Sequence, residues 1–535
     1  MASTVSEPLD PASAKPLPER SEAAKLLLFG VMAFGQFMAL LDIQIVASSL
    51  NSIQAGLSAG PDEIAWVQTA YLMAEIVMIP LAAFLSQAIS TRWLFTASAA
   101  LFTLSSLACG LAWNIESMIV FRAIQGFVGG AMVPTVFATG YRLFSGPRLA
   151  MIPAILGVVS TLAPTLGPSV GGWITEAAGW RWLFFMNILP GVMITILIPI
   201  LGRVDDANPS MLRRIDWVHV LGLAVFLGAL QFTLEEGPRH EWLNDPAVAI
   251  ALWLSIVGFV VFLERSFRSA APVVKLTPFR NPTFTLACML NFVTGFGLYS
   301  ATYLMPVFLG RVRGYSSLDI GTTVFVTGCF MFFGAPIAAR LSTRVDPRFV
   351  IGAGFSIFAL GLWMLAHITT EWGFAELFFP QAVRGFAVLL CIVPAVGMAL
   401  STASPADLPY ASGLFNLVRN LGGAVGIALV NTGIQDFSRL HVLRLSEGMG
   451  QSLGAAQDFV QGMSLQMGQI TGDSGLALLS AQAVLGRIVV REATTLAFRD
   501  VFALMALVFV CALCLVPFAK PRIAPDGAAA GRGGH

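Results

Sequence analysis

Long apolar stretches alternate with short polar ones along almost the whole chain. They fall near 25–49, 64–86, 92–112, 116–140, 149–175, 181–201, 216–234, 247–264, 283–309, 317–339, 349–368, 374–402, 411–437 and 498–519. A helix needs about 20 apolar residues to cross the hydrocarbon core, so the pattern predicts an all-α polytopic membrane protein with fourteen transmembrane helices. Two polar tails frame them. Residues 1–24 are Pro-, Ser- and Ala-rich without the apolar core of a cleaved signal peptide, and residues 520–535 are Gly- and Ala-rich. Both read as disordered tails.

The pattern repeats. Pro80-Leu81-Ala82-Ala83-Phe84-Leu85-Ser86 followed by Arg92 aligns without a gap on Pro336-Ile337-Ala338-Ala339-Arg340-Leu341-Ser342 followed by Arg348. Ala123-Ile124-Gln125-Gly126-Phe127 in the fourth stretch matches Ala382-Val383-Arg384-Gly385-Phe386 in the twelfth, and each is followed by a proline, Pro134 and Pro394. The seventh and eighth stretches then lie at the joint. The chain divides into a six-helix half at 25–201, a linker with two extra helices at 202–281, and a second six-helix half at 282–519 that includes an outer segment at 438–497. A duplicated multi-span bundle is the build of a secondary transporter, whose halves rock about a site between them.

Composition agrees with the lipid setting: 56% of residues are hydrophobic and 11% charged, with a mean hydropathy of +0.78. A net charge of +1 hides an asymmetry that orients the chain. The short outer loops carry only Arg181, Arg239, Arg311 and Arg313, whereas the inner loops hold clusters such as Arg203, Arg213, Arg214 and Arg265, Arg268, Lys275, Arg280. The positive-inside rule places both termini in the cytoplasm. The clusters read as anchors at the lipid surface, not as a nucleic-acid footprint.

Several chemistries are disfavoured. The only lysines are Lys15, Lys25, Lys275 and Lys520, none followed by Ser or Thr, so there is no phosphate-binding Gly-Lys-Ser/Thr loop. His219, His240, His367, His441 and His535 fall in loops, tails or span ends, without metal-ligand spacing or a nucleophile triad. No enzyme activity, metal or cofactor is expected. The six cysteines all lie in predicted spans and read as packed thiols.

Charge inside a span is costly and is a functional candidate by default. Asp42, Glu75, Arg122, Arg384 and Arg419 are such residues. At about 1.5 Å per residue, Glu75 lies roughly 18 Å in from the outer end of its span, close to the midplane. Asp42 and Arg122 lie at depths that let them meet. Separating them would remove the charge that keeps the carboxylate ionised, so the acid would take up a proton and favour one conformation. The alternative is a fixed structural ion pair. Arg384, where the repeat has Gln125, has no obvious acidic partner and could hold an anionic or zwitterionic substrate. Gln44, Glu75, Gln125, Arg384 and Asn416 are the candidate cavity residues, while Arg419 reads as structural, snorkelling to the interface.

The fifth stretch contains Ala163-Pro164-Thr165-Leu166-Gly167-Pro168-Ser169-Val170-Gly171-Gly172. Its glycines permit close helix approach and its prolines loosen the backbone ladder, a combination suited to a moving gate. Pro164, Gly167, Pro168, Gly171 and Gly172 resemble the antiporter motif of the major facilitator superfamily. Arg122-Ala123-Ile124-Gln125-Gly126 is similar to a second family motif. Leu41-Asp42 with Ile45-Val46, and the run from Trp180 to Gly191, resemble signatures of the fourteen-span drug:proton antiporters of the EmrB/QacA type. The resemblance implies a proton-coupled multidrug exporter of a bacterial inner membrane, with Asp42 in coupling and small amphipathic substrates. Glu75, at a position where the motif specifies no acid, reads from its depth in the span as a cation contact or a second proton site. It also implies that segment 438–497 projects into the periplasm toward a membrane-fusion adaptor and an outer-membrane channel. The match departs at Gln87, where the loop after the second span usually carries Asp, and at Gln44 and Ala47, where Thr and Asn are usual. A dedicated exporter of one amphipathic metabolite, such as a siderophore, pigment or fatty acid, is the alternative.

Overall fold

The computed structural model describes residues 21–518 apart from 61–62, 145–148, 150, 202–203, 270–271, 402, 405–406, 452 and 472. The predicted tails therefore lie almost wholly outside the described residues, as does Arg203. The described chain is helical, without a strand. Its helices are α1 (Glu22–Ser48), α2 (Leu50–Leu57), α3 (Trp66–Ile89), α4 (Thr91–Gly110), α5 (Ile115–Gly129), α6 (Met132–Leu143), α7 (Met151–Ala178), α8 (Trp182–Phe185) and α9 (Ile188–Leu201). There follow α10 (Trp217–Glu236), α11 (Pro246–Arg268), α12 (Pro282–Arg311), α13 (Ser317–Arg344), α14 (Pro347–Leu365), α15 (Phe374–Ser401), α16 (Leu408–Gln451), α17 (Leu453–Thr471) and α18 (Ser474–Ala512).

Thirteen helical segments are long and apolar enough to cross a membrane, with α5–α6 and α8–α9 each counted once. The 28-residue α7 stands where the fifth span is predicted. The order of spans agrees with the hydropathy pattern, and the chain is a multi-pass membrane protein. Alternation over fourteen spans brings residues 21 and 518 to one face, called inner below. The fourth and sixth spans each contain a turn, at Gly130 and Ala131 and at Met186 and Asn187, across which the backbone stays hydrogen-bonded in the helical sense.

The sequence repeat has a packing reason. A Cβ on Gly126 would overlap the carbonyl of Tyr71, and a Cβ on Gly385 would overlap that of Thr327. These glycines let α5 lie directly on α3 and α15 directly on α13, the same contact in each half. Between the halves, α7 lies against α13 and α15, and α16 against α3 and α6. Ser412 of α16 donates to the carbonyl of Pro134 in α6 at 3.0 Å.

The inserted helices form a tight hairpin in which Ser255 of α11 donates to the carbonyl of Phe226 in α10 at 3.0 Å. The hairpin touches both halves. Phe232 of α10 packs on Trp66 at a centroid distance of 5.5 Å, and Trp242, just after α10, donates its indole N–H to Thr432 of α16 at 3.0 Å.

The outer segment 438–497 differs from the expected loop. α16 continues unbroken to Gln451, α17 folds back, and α18 starts at Ser474, where Asp473 caps the amides of Gly475 and Leu476. No proline occurs between Pro409 and Pro517 to stop the helices. In α18 the side chains of Leu476, Leu479, Ala483 and Ile488 are exposed, while Ala477 and Ala481 are buried. Small side chains bring α18 and α17 together, and that leaves the larger ones outward.

At the inner face Gln87 replaces the usual Asp, and a different carboxylate ties the loop. Asp205 accepts from the amide of Thr91 at 2.7 Å, from the Thr91 hydroxyl and from Arg142 at 2.6 Å. One acid after the sixth span thereby joins the start of α4 to the end of α6.

Candidate functional site

Asp42 and Arg122 meet in the core of the N-terminal half, both fully buried, with Nη1 of Arg122 2.6 Å from Oδ2 of Asp42. The pair is held from five spans. Arg122 donates Nε to the carbonyl of Val67 at 3.2 Å and Nη1 to Gln125 at 2.8 Å, and its guanidinium lies 4.2 Å from the centre of the Tyr71 ring. Gln125 donates to Oδ1 of Asp42 at 3.2 Å. Asn187, at the turn in the sixth span, donates to the same oxygen at 2.6 Å and to Ser106 of α4 at 3.1 Å. A charge pair of this depth persists only with such additional hydrogen bonds.

Beside this network a cavity of about 130 Å³ lies between the halves. Its polar lining comes from Gln44 of α1, Gln68 and Glu75 of α3, Ser160 of α7, Gln231 and Glu235 of α10, Tyr299 of α12 and Asn420 of α16. The phenol of Tyr299 donates to Asn420 at 3.2 Å, so the second half contributes a fixed polar edge. Gln68 Oε1 is a buried acceptor without a protein partner among the described residues. Two carboxylates and no cation line the space, which suits a ligand that brings positive charge or N–H donors.

The candidates divide. Gln44 and Glu75 line the cavity. Gln125 belongs to the Asp42 network, and Asn416 faces away, donating to the carbonyl of Ser412 and accepting from Arg419. Arg384 also lies off the cavity: its guanidinium donates to the carbonyl of Ala301 at 3.2 Å and to Thr327 at 3.1 Å, while Gln381 donates to the carbonyl of Thr323. The second half thus carries its glutamine and arginine in the reverse order of Arg122 and Gln125, and fixes the cation on backbone and hydroxyl oxygens. Arg419 does not snorkel. It is 2% exposed, bound to Asn416 at 2.9 Å and 5.9 Å from the centre of the Phe137 ring in the opposite half, because Gly295 lets α12 abut its backbone.

In α7, a Cβ on Gly167 would overlap Gln44 and one on Gly171 would stand 2.9 Å from the carbonyl of Ile45. The glycines therefore seat α7 on α1 within one turn of Asp42. Pro168 and Gly172 are half-buried in the same helix, and the side chain of Pro164 lies outside the described residues. The cavity residues Gln68, Ser160, Gln231, Glu235, Tyr299 and Asn420 and the network residues Asn187 and Ser106 were not among the sequence candidates. Most are uncharged and so leave no signal inside a span; Glu235 lies one residue beyond the predicted end of its span.

The sequence profile of the Major Facilitator Superfamily matches residues 32–427. The chain is 40% identical to the colistin resistance protein EmrB of Acinetobacter baumannii over 90% of its own length and 93% of the relative's. It is 27% identical to the multidrug export protein EmrB of Escherichia coli, covering 96% and 98%, and 26% identical to the fatty acid resistance protein FarB of Neisseria gonorrhoeae, covering 93% and 96%. Among solved structures, the human organic anion transporter MFSD10 superposes with a TM-score of 0.55 at 13% identity, covering 92% of this chain and 99% of that one. With two matched six-helix halves and this extent of agreement, the chain belongs to the Major Facilitator Superfamily of membrane transporters.

Proposed function

We propose that this protein is a proton-coupled exporter of amphipathic, preferentially cationic, drugs across a bacterial inner membrane, with both termini in the cytoplasm. The observation that carries the reading is the fully buried Asp42–Arg122 pair beside a cavity lined by Glu75 and Glu235. Asp42 is the proton site and Arg122 the internal cation that holds it ionised when no proton is bound. Protonation of Asp42 releases Arg122, and the hydrogen bonds to α3, α5 and Asn187 rearrange. The glycine seat of α7 on α1 transmits that change to the seam between the halves. Glu75 and Glu235 meet the cationic group of the cargo, and a carboxylate cargo such as a fatty acid is disfavoured by the same two charges.

The helical hairpin formed by the extended α16, α17 and α18 is the periplasmic contact for a membrane-fusion adaptor that leads to an outer-membrane channel. Its exposed Leu465, Leu476 and Leu479 support an apolar partner surface there.

The test uses inverted membrane vesicles holding a proton gradient. Cationic, neutral and anionic amphiphiles are added, and gradient dissipation is followed for the wild type and Asp42→Asn. Dissipation by several cations that vanishes in the variant is the expected result. No response to any compound by folded protein overturns proton-coupled multidrug export.

A further inference from the structure

Where α12 ends and α16 and α18 continue beyond the membrane, the three helices enclose a second, larger groove of about 1150 Å³. Four arginines line it: Arg311, Arg439, Arg487 and Arg491. This is an unusual concentration for the outer side of a chain whose short outer loops are otherwise poor in cations. Arg487 and Arg491 stand four residues apart on α18, a like-charge spacing that destabilises a helix unless an anion lies between them. Of the four, Arg439 alone is paired among the described residues, with Glu241 at 3.1 Å. Among the described residues no nearby acid forms an ion pair with the others: Glu492 accepts from Thr370, Asp500 is bound to His441, and Asp436 is exposed and outside the lining. On the membrane side of Arg439 the groove has Ile434 in its wall.

We propose that this groove binds the headgroup phosphate of an anionic phospholipid from the outer leaflet. Arg311, at the membrane-level end of α12, and Arg491 hold the phosphate. Arg487 adds the second charge on the same helix face, and the first acyl carbons lie against Ile434. Guanidinium forks suit a phosphate bidentately. The bound lipid ties α12, α16 and α18 together at the level where the outer hairpin leaves the membrane. This site is separate from the central cavity, so it stands or falls independently of the drug-export reading.

The experiment is native mass spectrometry of the detergent-purified full chain with phosphatidylglycerol or phosphatidylcholine of equal acyl length. The wild type is expected to retain phosphatidylglycerol about tenfold better. Arg487→Gln/Arg491→Gln is expected to retain one phosphatidylglycerol fewer with about tenfold or greater loss at that site, while Arg487→Lys/Arg491→Lys keeps it. Equal retention of the two lipids by the wild type overturns the proposal. So does an unchanged phosphatidylglycerol count in the glutamine variant, which would locate the preference at the inner basic clusters. Displacement of the lipid by an equal concentration of inorganic phosphate would assign the arginines to a free anion and also overturn it.

Discussion

Asn187 donates its side-chain amide to Asp42 at 2.6 Å from the turn that joins α8 to α9 in the sixth span. Ser106, itself donating to the carbonyl of Phe184 at 2.9 Å, receives the same amide and so ties Asn187 to α4 as well. Replacing Asn187 by Ala removes one of the donors to a fully buried carboxylate oxygen, with an expected loss of about 1–3 kcal/mol. Asn187→Asp would set two carboxylates against each other and is expected to lower the midpoint further. Thermal unfolding in detergent ranks them: wild type above Asn187→Ala above Asn187→Asp. An Asp variant as stable as wild type would mean that the amide does not hold Asp42.

Breaking the Asp42–Arg122 pair from one side leaves an uncompensated buried charge, which costs about 3–5 kcal/mol. Asp42→Asn and Arg122→Gln are each expected to fall in that range. The double variant is expected to regain most of the stability, since neither charge then remains in a site with 0% exposure. Transport separates structure from coupling: the stable double variant is expected to remain inactive in proton-driven efflux. Recovery of efflux along with stability would reduce the pair to a structural bridge.

The glycines of α7 give a packing prediction. Gly167→Ala must push α7 from Gln44, an overpacking worth about 1–3 kcal/mol. Gly30→Ala in α1 is the matched control, because nothing lies within 4 Å of its Cβ. There the better helix former is expected to be neutral or stabilising by up to about 1 kcal/mol. Unfolding midpoints of the two variants measure the difference. Equal midpoints would show that the close approach of α7 and α1 is easily relaxed.

The architecture was legible in the sequence because both of its signals are one-dimensional. Apolar length marks each span, and Gly126 and Gly385 recur at matching places since both halves need the same backbone contact. The depths of Asp42 and Arg122 could likewise be counted along helices. Partner choice was not legible. Gln125 and Asn416 are polar at suitable depth, yet one turns to Asp42 and the other to Arg419. Arg384 looked unpaired because a carbonyl and a hydroxyl, unlike an acid, leave no trace in the charge pattern. Asn187 carries no charge to mark it, and Glu235 depends on a helix running two residues longer than its apolar stretch.

Glu235 brings a carboxylate from α10 to a cavity that the two halves otherwise share, and on the proposed function it gives the inserted hairpin a part in substrate choice. Its neighbour Glu236 points elsewhere, accepting from Thr69 of α3 at 3.2 Å, so the two adjacent acids have separate tasks. Glu235→Gln and Glu75→Gln should each weaken the apparent affinity for a monovalent cationic amphiphile by about tenfold, the loss of one near contact in a partly screened site. For a dication the two changes should compound to about a hundredfold in the double variant, because each carboxylate then loses its own partner. Neutral amphiphiles should be transported unchanged. Glu236→Gln should instead loosen the α3–α10 contact, lowering the unfolding midpoint without altering the ratio of cation to neutral transport. Concentration-dependent dissipation of a proton gradient measures all four variants. If Glu235→Gln leaves that ratio unchanged while Glu75→Gln shifts it, the inserted hairpin packs against the transport path without reading the cargo.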